Sequence, residues 1–417
     1  MITAADSTKP ARAPMARATP PNTAAISALD LELDLSLITD RAAFEALEAE
    51  WNDLFARAGR PTQVFQTFNW NWHWARHYLP DADGGVAGMQ LSIVTGRRNG
   101  RLIMVWPLAR ERVRGITQIF WMGDPVSQYG DVLIDGAAGA EDVIRAGWHY
   151  LAANAKGDIV RLRRVRADAA IQPLMTEIGA TNSDRQTAPY LDLTSAKSFA
   201  DYEQRYSAHA RRNRRRLGRR LDEQGKVTFE RLKGGARARD LAVKALELKA
   251  EWLKSRGLVS HAIADARMAR FFADAAEGAT HATGCIVSAL SVDGEPAALE
   301  VSFSCNGRLA MHVIVFNLNY EKSGAGVLRL EQSIRDGYAD GLEVYDMLAP
   351  GDNYKLDWSD AATDVVDYLK PLSLAGHAYG RIYLGFVRPR MKSAVSALPQ
   401  SVRRVMTAGY SAVLAHT

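Results

Sequence analysis

The chain has 417 residues, of which 47% are hydrophobic and 24% charged, a globular composition that excludes a disordered or fibrous protein. This length is too great for one ordinary core and fits two packed domains plus tails. Apolar runs fall short of the roughly 20 residues that a membrane-spanning helix needs. Two cysteines cannot build a disulfide framework, and no apolar secretory segment opens the sequence, so we expect a cytoplasmic protein.

The net charge of +5 is unevenly distributed along the chain. Between Pro371 and Thr417 there are six Arg or Lys and no Asp or Glu, so this segment alone contributes +6. We predict that residues 376–417 form a basic helical tail, which either docks onto the body of the protein or contacts an anionic membrane face peripherally. A second basic cluster lies between Arg205 and Arg220. Either cluster can bind phosphates or acidic polysaccharide.

The first part of the chain predicts a tail and one folded unit. Residues 1–30 are rich in Ala, Thr and Pro without periodicity, which predicts a disordered tail. Residues 31–195 mix helical and strand patterns and predict an N-terminal domain. Apolar residues recur at helical spacing over Arg41–Ala58, and LSIVTG and RLIMVWPLA flank a turn, which predicts a hairpin. Further elements are predicted at Glu141–Ala153 (helix), Ile159–Leu162 (strand), Ala169–Ile178 (helix) and Tyr190–Leu193 (strand).

Residues 196–375 repeat this order of elements. Three strand patterns are joined by Asp293-Gly294 and Asn306-Gly307, dipeptides that favour tight hairpins. A helix and a strand then follow, which completes a strand–helix–strand crossover. The fold class predicted is therefore α/β with a mixed sheet, and the repeated order indicates a duplicated domain. The elements predicted for this unit are helices at Lys197–Gln224, Arg239–Arg256, Arg267–Glu277 and Ala325–Ala339, and strands at Val227–Leu232, Gly284–Val292, Pro296–Ser304, Arg308–Phe316 and Glu343–Met347.

A glycine-containing turn between the third of these strands and the next helix is the most informative local feature. Two glycines one residue apart let backbone N–H groups approach an anion, and a helix N-terminus adds partial positive charge. The Walker and the full G-x-G-x-x-G signatures are absent, so a turn without a ligand is the alternative. The residues predicted to bind a pyrophosphate are Ser323, Gly324, Ala325, Gly326 and Val327.

The block YEKSGAGVLRLEQSIRDGYADGLEVYDMLAPGDNYKLDW, from Tyr320 to Trp358, resembles GNAT-like proteins of the CelD-like family. That family is associated with cellulose and exopolysaccharide biosynthesis and is related to Fem-type transferases. The stretch Gly123–Asp131, the PL pair at Pro107-Leu108 and the segment YSAHARRNRRRLGRRL fit it too. The resemblance implies tandem GNAT-like domains with acetyl-CoA bound by the second. The family's turn reads [Q/R]-x-x-G-x-[G/A], and Glu321 stands here in place of Gln or Arg.

Acyl transfer from a thioester to an amine needs a base, donors for the developing oxyanion and a proton for the leaving thiolate. Glu300 is the first candidate base, because GNAT-like proteins often carry an acid on this strand; an exposed strand position is the alternative. Asp346 ends a strand, where functional groups gather. The resemblance places Asp352, Tyr354 and Lys355 in a GD-x-YK motif that shapes the acceptor or thioester end, and Tyr354 could protonate the thiolate. A loop held by Asp–Lys pairing is the alternative, and no metal is expected.

The Arg-rich helix has one apolar face that is interrupted by Asn213. We expect Asn213 to hydrogen-bond inside the protein and Arg212 and Arg216 to bind an anionic partner or substrate, because the repulsion among eight arginines exceeds what solubility requires. A solvated face is the alternative. No RNA- or DNA-binding motif accompanies these arginines, so a nucleic-acid partner is not expected.

These features together predict an acyl-CoA-dependent N- or O-acyltransferase that uses acetyl-CoA and acts on a polysaccharide or cell-envelope precursor at the inner membrane face. Transfer is expected to be direct, within a ternary complex. Two alternatives remain open. One is a Fem-type aminoacyl-tRNA-dependent transferase, in which the Arg-rich helix binds RNA. The other is a non-catalytic GNAT-like scaffold in a polysaccharide synthase complex.

Overall fold

The computed structural model describes residues 33–80, 88–113, 115–136, 139–258, 260–278, 284–380 and 390. The predicted tail 1–30 and most of the predicted basic tail 376–417 lie outside them. Among the described residues, no helix is both long enough and apolar enough to cross a membrane.

The described strands are β1 (Leu33–Ile38), β2 (Gln90–Leu91), β3 (Ile93–Arg98), β4 (Arg101–Trp106), β5 (Leu108–Val113), β6 (Ile116–Trp121), β7 (Leu133–Ile134), β8 (Ile159–Arg166), β9 (Thr181–Asp192), β10 (Val227–Leu232), β11 (Cys285–Val292), β12 (Glu295–Cys305), β13 (Arg308–Phe316), β14 (Val344–Asp346) and β15 (Ala361–Pro371). The described α-helices are α1 (Arg41–Ala46), α2 (Glu48–Ala58), α3 (Phe68–Tyr78), α4 (Ala140–Asn154), α5 (Gln172–Glu177), α6 (Phe199–Glu203), α7 (Ala208–Asp222), α8 (Ala236–Ser255), α9 (His261–Ala264), α10 (Ala266–Glu277), α11 (Ala325–Ala339), α12 (Asn353–Leu356) and α13 (Leu374–Ala378).

The two tight turns predicted in the second half are confirmed. Asp293 and Gly294 have φ angles of 50° and 87°, and Asn306 and Gly307 have φ angles of 44° and 79°. Positive φ at both central residues is the type I′ geometry of two-residue hairpins, and Asn, Asp and Gly adopt it at the least steric cost. β11, β12 and β13 therefore pair antiparallel in sequence order.

The sequence predicts one helix over Lys197–Gln224, and the structure divides it into α6 and α7. Ser207, between them, accepts a hydrogen bond on its hydroxyl from the N–H of Ala210 at 3.1 Å. This N-cap satisfies a backbone donor that a helix start leaves free. A new helix consequently begins after Ser207.

Eleven of the described strands form one mixed sheet, in the order β10-β11-β12-β13-β14-β9-β15-β8-β6-β5-β2, and β1-β3-β4-β7 form a second sheet. Pairing is antiparallel except between β13 and β14 and between β6 and β8. Each parallel pair is connected through a helix, as parallel pairing requires. The predicted α/β class with a mixed sheet is confirmed.

Both halves of the chain contain the same series of elements. In the first half, the β5–β6 hairpin is followed by α4 and by β8, which pairs parallel with β6. In the second half, the β12–β13 hairpin is followed by α11 and by β14, which pairs parallel with β13. A short helix and a long strand come next in both, α5 with β9 and α12 with β15. The topology thus shows the tandem arrangement.

The last strand of each half is exchanged with the other half. β9 pairs with β14, and β15 pairs with β8. β9 and β15 also pair with each other, from Tyr190 opposite Ala361 to Thr181 opposite Leu369. The two halves therefore share one continuous sheet, and each lacks a central strand without the other.

An apolar core also crosses between the halves. Trp70 of α3 is fully buried, and its ring centroid lies 4.8 Å from that of Phe271 in α10 and 4.9 Å from that of Phe303 in β12. Both pairs are edge-to-face, a geometry that contributes about 0.5–1.5 kcal/mol beyond area burial. The aromatic segment of the first half thus packs directly under the strands of the second.

Candidate functional site

The predicted strand-to-helix turn lies at the amino end of α11, after β13. A 3₁₀ helix over Leu318–Ser323 separates strand and helix, a detail that the sequence pattern does not show. Gly324 follows with a φ of 69°, a left-handed conformation that glycine adopts without steric cost. No side chain caps α11. The N–H groups of Val327 and Leu328 both donate to the Gly324 carbonyl, so an anion here would bind to the N–H groups of Ala325 and Gly326, where the helix dipole favours negative charge.

Close packing also restricts side chains at this turn. A Cβ on Gly324 would lie 2.7 Å from the side chain of Leu217 in α7, and a Cβ on Gly326 would lie 3.1 Å from the ring of Phe316. The Arg-rich helix α7 therefore packs against the turn itself. Close packing therefore favours glycine at both positions, whether or not a ligand binds.

The side chains around these glycines point mostly inward. Ser323 and Ala325 are buried, and the Ser323 hydroxyl is hydrogen-bonded to the side-chain amide of Gln224, just past α7. Val327 is exposed. The five residues predicted to bind a pyrophosphate could thus do so through backbone N–H groups rather than through side chains.

β13 and β14 diverge near this turn. They pair only from Arg308 opposite Val344 to Ala310 opposite Asp346, whereas β13 continues to Phe316. Beyond Ala310, the backbone of β13 has no partner on the β14 side among the described strands, so its polar groups can bind a ligand. The opening lies at the carboxyl ends of two parallel strands, where α/β proteins commonly hold ligands.

Glu300, the predicted base, lies inside the protein on the α11 side of the sheet. Its side chain is 1% exposed, and its carboxylate accepts hydrogen bonds from the hydroxyls of Ser302, Ser333 and Tyr345. The Nε of buried Arg329 lies 3.8 Å from the same carboxylate. The alternative of an exposed strand position is therefore wrong. The role of Glu300 as a base stays a prediction, now for a carboxylate whose two oxygens both have partners.

Asp346, the last residue of β14, connects the two halves of the chain. It is fully buried and accepts hydrogen bonds from the hydroxyl of Tyr129 at 2.9 and 3.0 Å and from Arg308 Nε at 2.8 Å. Arg166 Nη1 lies 3.8 Å away, and the Leu348 N–H donates to Asp346 at 2.9 Å. Asp346 is thus the centre of a buried ionic network.

Asp352, Tyr354 and Lys355 lie together after β14, Asp352 at the N-cap of the short helix α12 and the other two within it. Asp352 and Tyr354 are exposed, whereas Lys355 is buried. Lys355 Nζ donates to the carbonyl oxygens of Leu348 and Pro350 at 3.1 and 3.0 Å. Lys355 therefore closes the loop through backbone carbonyls and not through pairing with Asp352. Burial lowers the pKa of Lys355 from 10.5 to about 8.

The catalytic candidates do not all meet in one place. Tyr345 and Asp346 are neighbours in a strand, so their side chains point to opposite faces of the sheet. Glu300 bonds to Tyr345 and therefore lies on the face opposite to Asp346. The GD-x-YK loop continues from Asp346, yet the charge of Glu300 still reaches it: burial, then Asp352 and Glu300, raise the pKa of Tyr354.

Of the seven arginines in the Arg-rich helix α7, one is buried, five are exposed, and the half-buried Arg211 donates to the Tyr206 carbonyl oxygen at 2.7 Å. Arg214 is buried, with its guanidinium carbon 4.5 Å from the centre of the Tyr206 ring and its Nε 3.6 Å from the Glu331 carboxylate. The expectation that Asn213 bonds inside the protein is wrong, because Asn213 instead accepts a hydrogen bond from Arg216 of the same helix at 2.8 Å. The exposed arginines, none with a carboxylate partner among the described residues, are Arg212, Arg215, Arg216, Arg219 and Arg220.

His312 is a candidate that the sequence does not reveal. The pairing of β12 with β13 shifts by one residue at this point, which makes His312 the extra residue of a β-bulge. Its Nε2–H donates to the Val126 carbonyl oxygen at 2.5 Å, and its buried Nδ1 has no hydrogen-bond partner. Burial lowers the pKa of His312 to about 4, so the ring is neutral at pH 7. Sequence reasoning also misses the partners of Asp346, because only the pairing of strands that are distant in sequence brings them together. These partners are Tyr129, Arg166 and Arg308.

Residues 208–356 match the domain family described as Acetyltransferase (GNAT) domain. This segment contains α7, the glycine turn, the diverging strands and the GD-x-YK loop, which are the features of the site described above.

Solved structures extend the likeness over most of the chain. FemX has 10% sequence identity and a TM-score of 0.52, with 84% of this chain and 99% of FemX covered. A tandem GNAT protein from the clavulanic acid biosynthesis pathway has 14% identity and a TM-score of 0.45, covering 82% of this chain and 99% of that one. L-PGS from Bacillus licheniformis has 12% identity and a TM-score of 0.48, covering 82% and 96%.

At these identities the likeness shows a shared fold only, and the TM-score of 0.52 with FemX supports that shared fold. No curated protein sequence matches the chain. The comparisons thus show a GNAT domain within a fold shared with a Fem protein. They do not confirm the narrower resemblance to the CelD-like family.

Glu300→Gln tests what the interior network does. The variant leaves Arg329 buried without its counter-charge, which we expect to lower the free energy of unfolding by about 3–5 kcal/mol, measured by urea denaturation. Glu295→Gln, at the exposed start of the same strand, is the matched control and should change it by less than about 0.5 kcal/mol. Unchanged stability with lost acyl transfer would instead favour Glu300 as the base.

The pKa of Lys355 predicts a pH dependence of stability. The folded-state pKa, about 8, is below the ordinary value of 10.5, so the unfolded chain binds more protons between these values. In this window the free energy of unfolding should rise with pH by up to about 1.4 kcal/mol per pH unit relative to Lys355→Met. Urea unfolding of both proteins below and above pH 8 measures the difference. Identical pH slopes would contradict the lowered pKa.

Proposed function

We propose that this protein transfers an acyl group, from acetyl-CoA, to an amine or hydroxyl of a polysaccharide or cell-envelope precursor. The observation that carries the proposal is the uncapped amino end of α11, preceded by Gly324 and adjoining the divergence of β13 from β14, within a segment that matches a GNAT domain. An anion-binding helix end and a strip of free strand backbone suit a donor with a pyrophosphate and an extended amide-containing arm.

The donor supplies an activated thioester, and the protein supplies position and proton transfer. Free N–H groups of β13 beyond Ala310 are placed to stabilise the negative charge that develops on the thioester oxygen. In this proposal Tyr354 protonates the departing thiolate, and Lys355 and Asp346 fix the loop that carries Tyr354. Asp352, exposed at the start of α12, faces the acceptor. The acceptor nitrogen or oxygen bonds to the acyl carbon as the carbon–sulfur bond breaks, and the proton that the acceptor loses passes to the carboxylate of Glu300, the predicted base.

The exposed arginines of α7 support an anionic acceptor. They form one solvent-facing stripe on a helix that is anchored at the glycine turn by Leu217. Guanidinium groups bind carboxylates and phosphates through paired hydrogen bonds. In the proposal, Arg212 and Arg216 contact such groups on a precursor at the cytoplasmic face of an anionic membrane.

The likeness of the fold to FemX favours one second candidate, a Fem-type transfer that uses an aminoacyl-tRNA. The same arginine stripe would then contact the RNA backbone. A non-catalytic scaffold is the remaining alternative.

Calorimetric titration with acetyl-CoA tests the donor. The unmodified protein should bind acetyl-CoA saturably, and Gly326→Asp should weaken binding by about tenfold or more, because its carboxylate repels the donor phosphates. Gly326→Ala is the matched control, since it adds the same Cβ next to Phe316 without the charge. Circular dichroism checks that all three proteins are folded. If the unmodified protein does not bind, the donor is not acetyl-CoA.

A charge-reversal pair tests the arginine stripe. Arg212→Glu with Arg216→Glu should abolish binding to anionic glycan precursors and leave acetyl-CoA affinity within about twofold. Lys156→Glu with Lys233→Glu, at two exposed lysines outside α7, changes the net charge equally and should have no effect. Tight tRNA binding with a steep salt dependence, lost only in the α7 variant, would instead favour the Fem-type function.

A further inference from the structure

The first position of the GNAT turn carries the wrong charge for a phosphate ligand. The resemblance places Gln or Arg there, and this chain has Glu321 three residues before Gly324. A carboxylate beside a pyrophosphate opposes binding unless another group neutralises it or turns it away.

The structure shows what this carboxylate contacts. Arg256, at the carboxyl end of α8, has its Nη2 3.4 Å from the Glu321 carboxylate. The guanidinium carbon of Arg256 lies 4.2 Å from the centre of the Trp252 ring, so the aromatic face supports the guanidinium from one side. A cation from a helix distant in sequence is thus held at the position where the family has Gln or Arg in the turn itself.

This ion pair is not needed to hold the fold. The two side chains are 46% and 54% exposed, and exposed pairs of this kind add little to stability. Arg256 nevertheless keeps several N–H donors directed at solvent, because its pair with Glu321 uses one edge of a planar group that carries five.

Taking acetyl-CoA as the donor, and so resting on the proposed function, we propose that Arg256 binds the phosphates of the donor. Glu321 positions the guanidinium through the ion pair, and Trp252 restricts its plane. The turn therefore obtains its cation from α8 instead of from its own first residue. The guanidinium contributes paired hydrogen bonds to phosphate oxygens, alongside the backbone N–H groups at the start of α11.

Removal of this cation should cost affinity only for ligands with phosphates. In calorimetric titrations, Arg256→Gln should weaken binding of CoA by about tenfold or more, in line with the loss of a charge-assisted hydrogen bond. Binding of pantetheine, which has no phosphate, should not change. Arg256→Lys keeps the charge but not the planar fork, and should recover part of the affinity for CoA.

Arg239→Gln is the matched control for this experiment. Arg239 lies on the same helix, is 50% exposed and has an ion pair of similar length, 3.7 Å to Glu277. It should bind CoA as the unmodified protein does.

The outcomes separate the inference from the function on which it rests. If the unmodified protein binds CoA and Arg256→Gln binds it equally well, Arg256 is not a phosphate ligand, although the donor assignment stands. Equal losses for CoA and pantetheine would show that Arg256 only supports the end of α8, and would also overturn the inference. If the unmodified, folded protein binds neither CoA nor pantetheine, the proposed function itself fails.

Discussion

The exchange of β9 and β15 between the two halves is the constraint on which the rest of the structure depends. All three pairings at the centre of the sheet, β14 with β9, β9 with β15 and β15 with β8, join one half to the other. Without them, β8 and β14 would each expose a row of unpaired backbone groups. The exchange also determines the surroundings of Asp346, because this residue ends β14 directly opposite Tyr190 of β9.

Two buried charged groups then fix the loop that follows Asp346. The carboxylate of Asp346 accepts the Leu348 N–H, and the ammonium of Lys355 donates to the Leu348 carbonyl. Leu348 has a φ of 58°, a left-handed conformation that costs a non-glycine residue about 1–3 kcal/mol. Hydrogen bonds on both sides hold it there. The loop with Asp352 and Tyr354 is therefore shaped by charges on the inside of the protein, before any ligand arrives.

Local patterns predicted much of this fold. The hairpins at Asp293-Gly294 and Asn306-Gly307 and the helix after Gly324 follow from turn chemistry and apolar periodicity, which depend on neighbouring residues only. The environment of Glu300 could not be predicted, because its partners Ser333 and Tyr345 come from α11 and β14, and an alternating strand pattern does not say which face a helix covers. His312 shows the same limit, since a bulge exists only relative to the partner strand. The contact of Arg256 with Glu321 joins residues too far apart for any spacing rule.

The strand exchange has a consequence for synthesis of the protein on the ribosome. β8 belongs to the first half, yet its partner β15 is the last described strand of the chain. The whole second half must be translated before β8 can complete its pairing, and closing so long a loop makes this contact late and slow. During that interval β8 has an open edge, which favours pairing with other chains. Residues 361–371 thus complete the sheet of the first domain, although they belong to the sequence of the second.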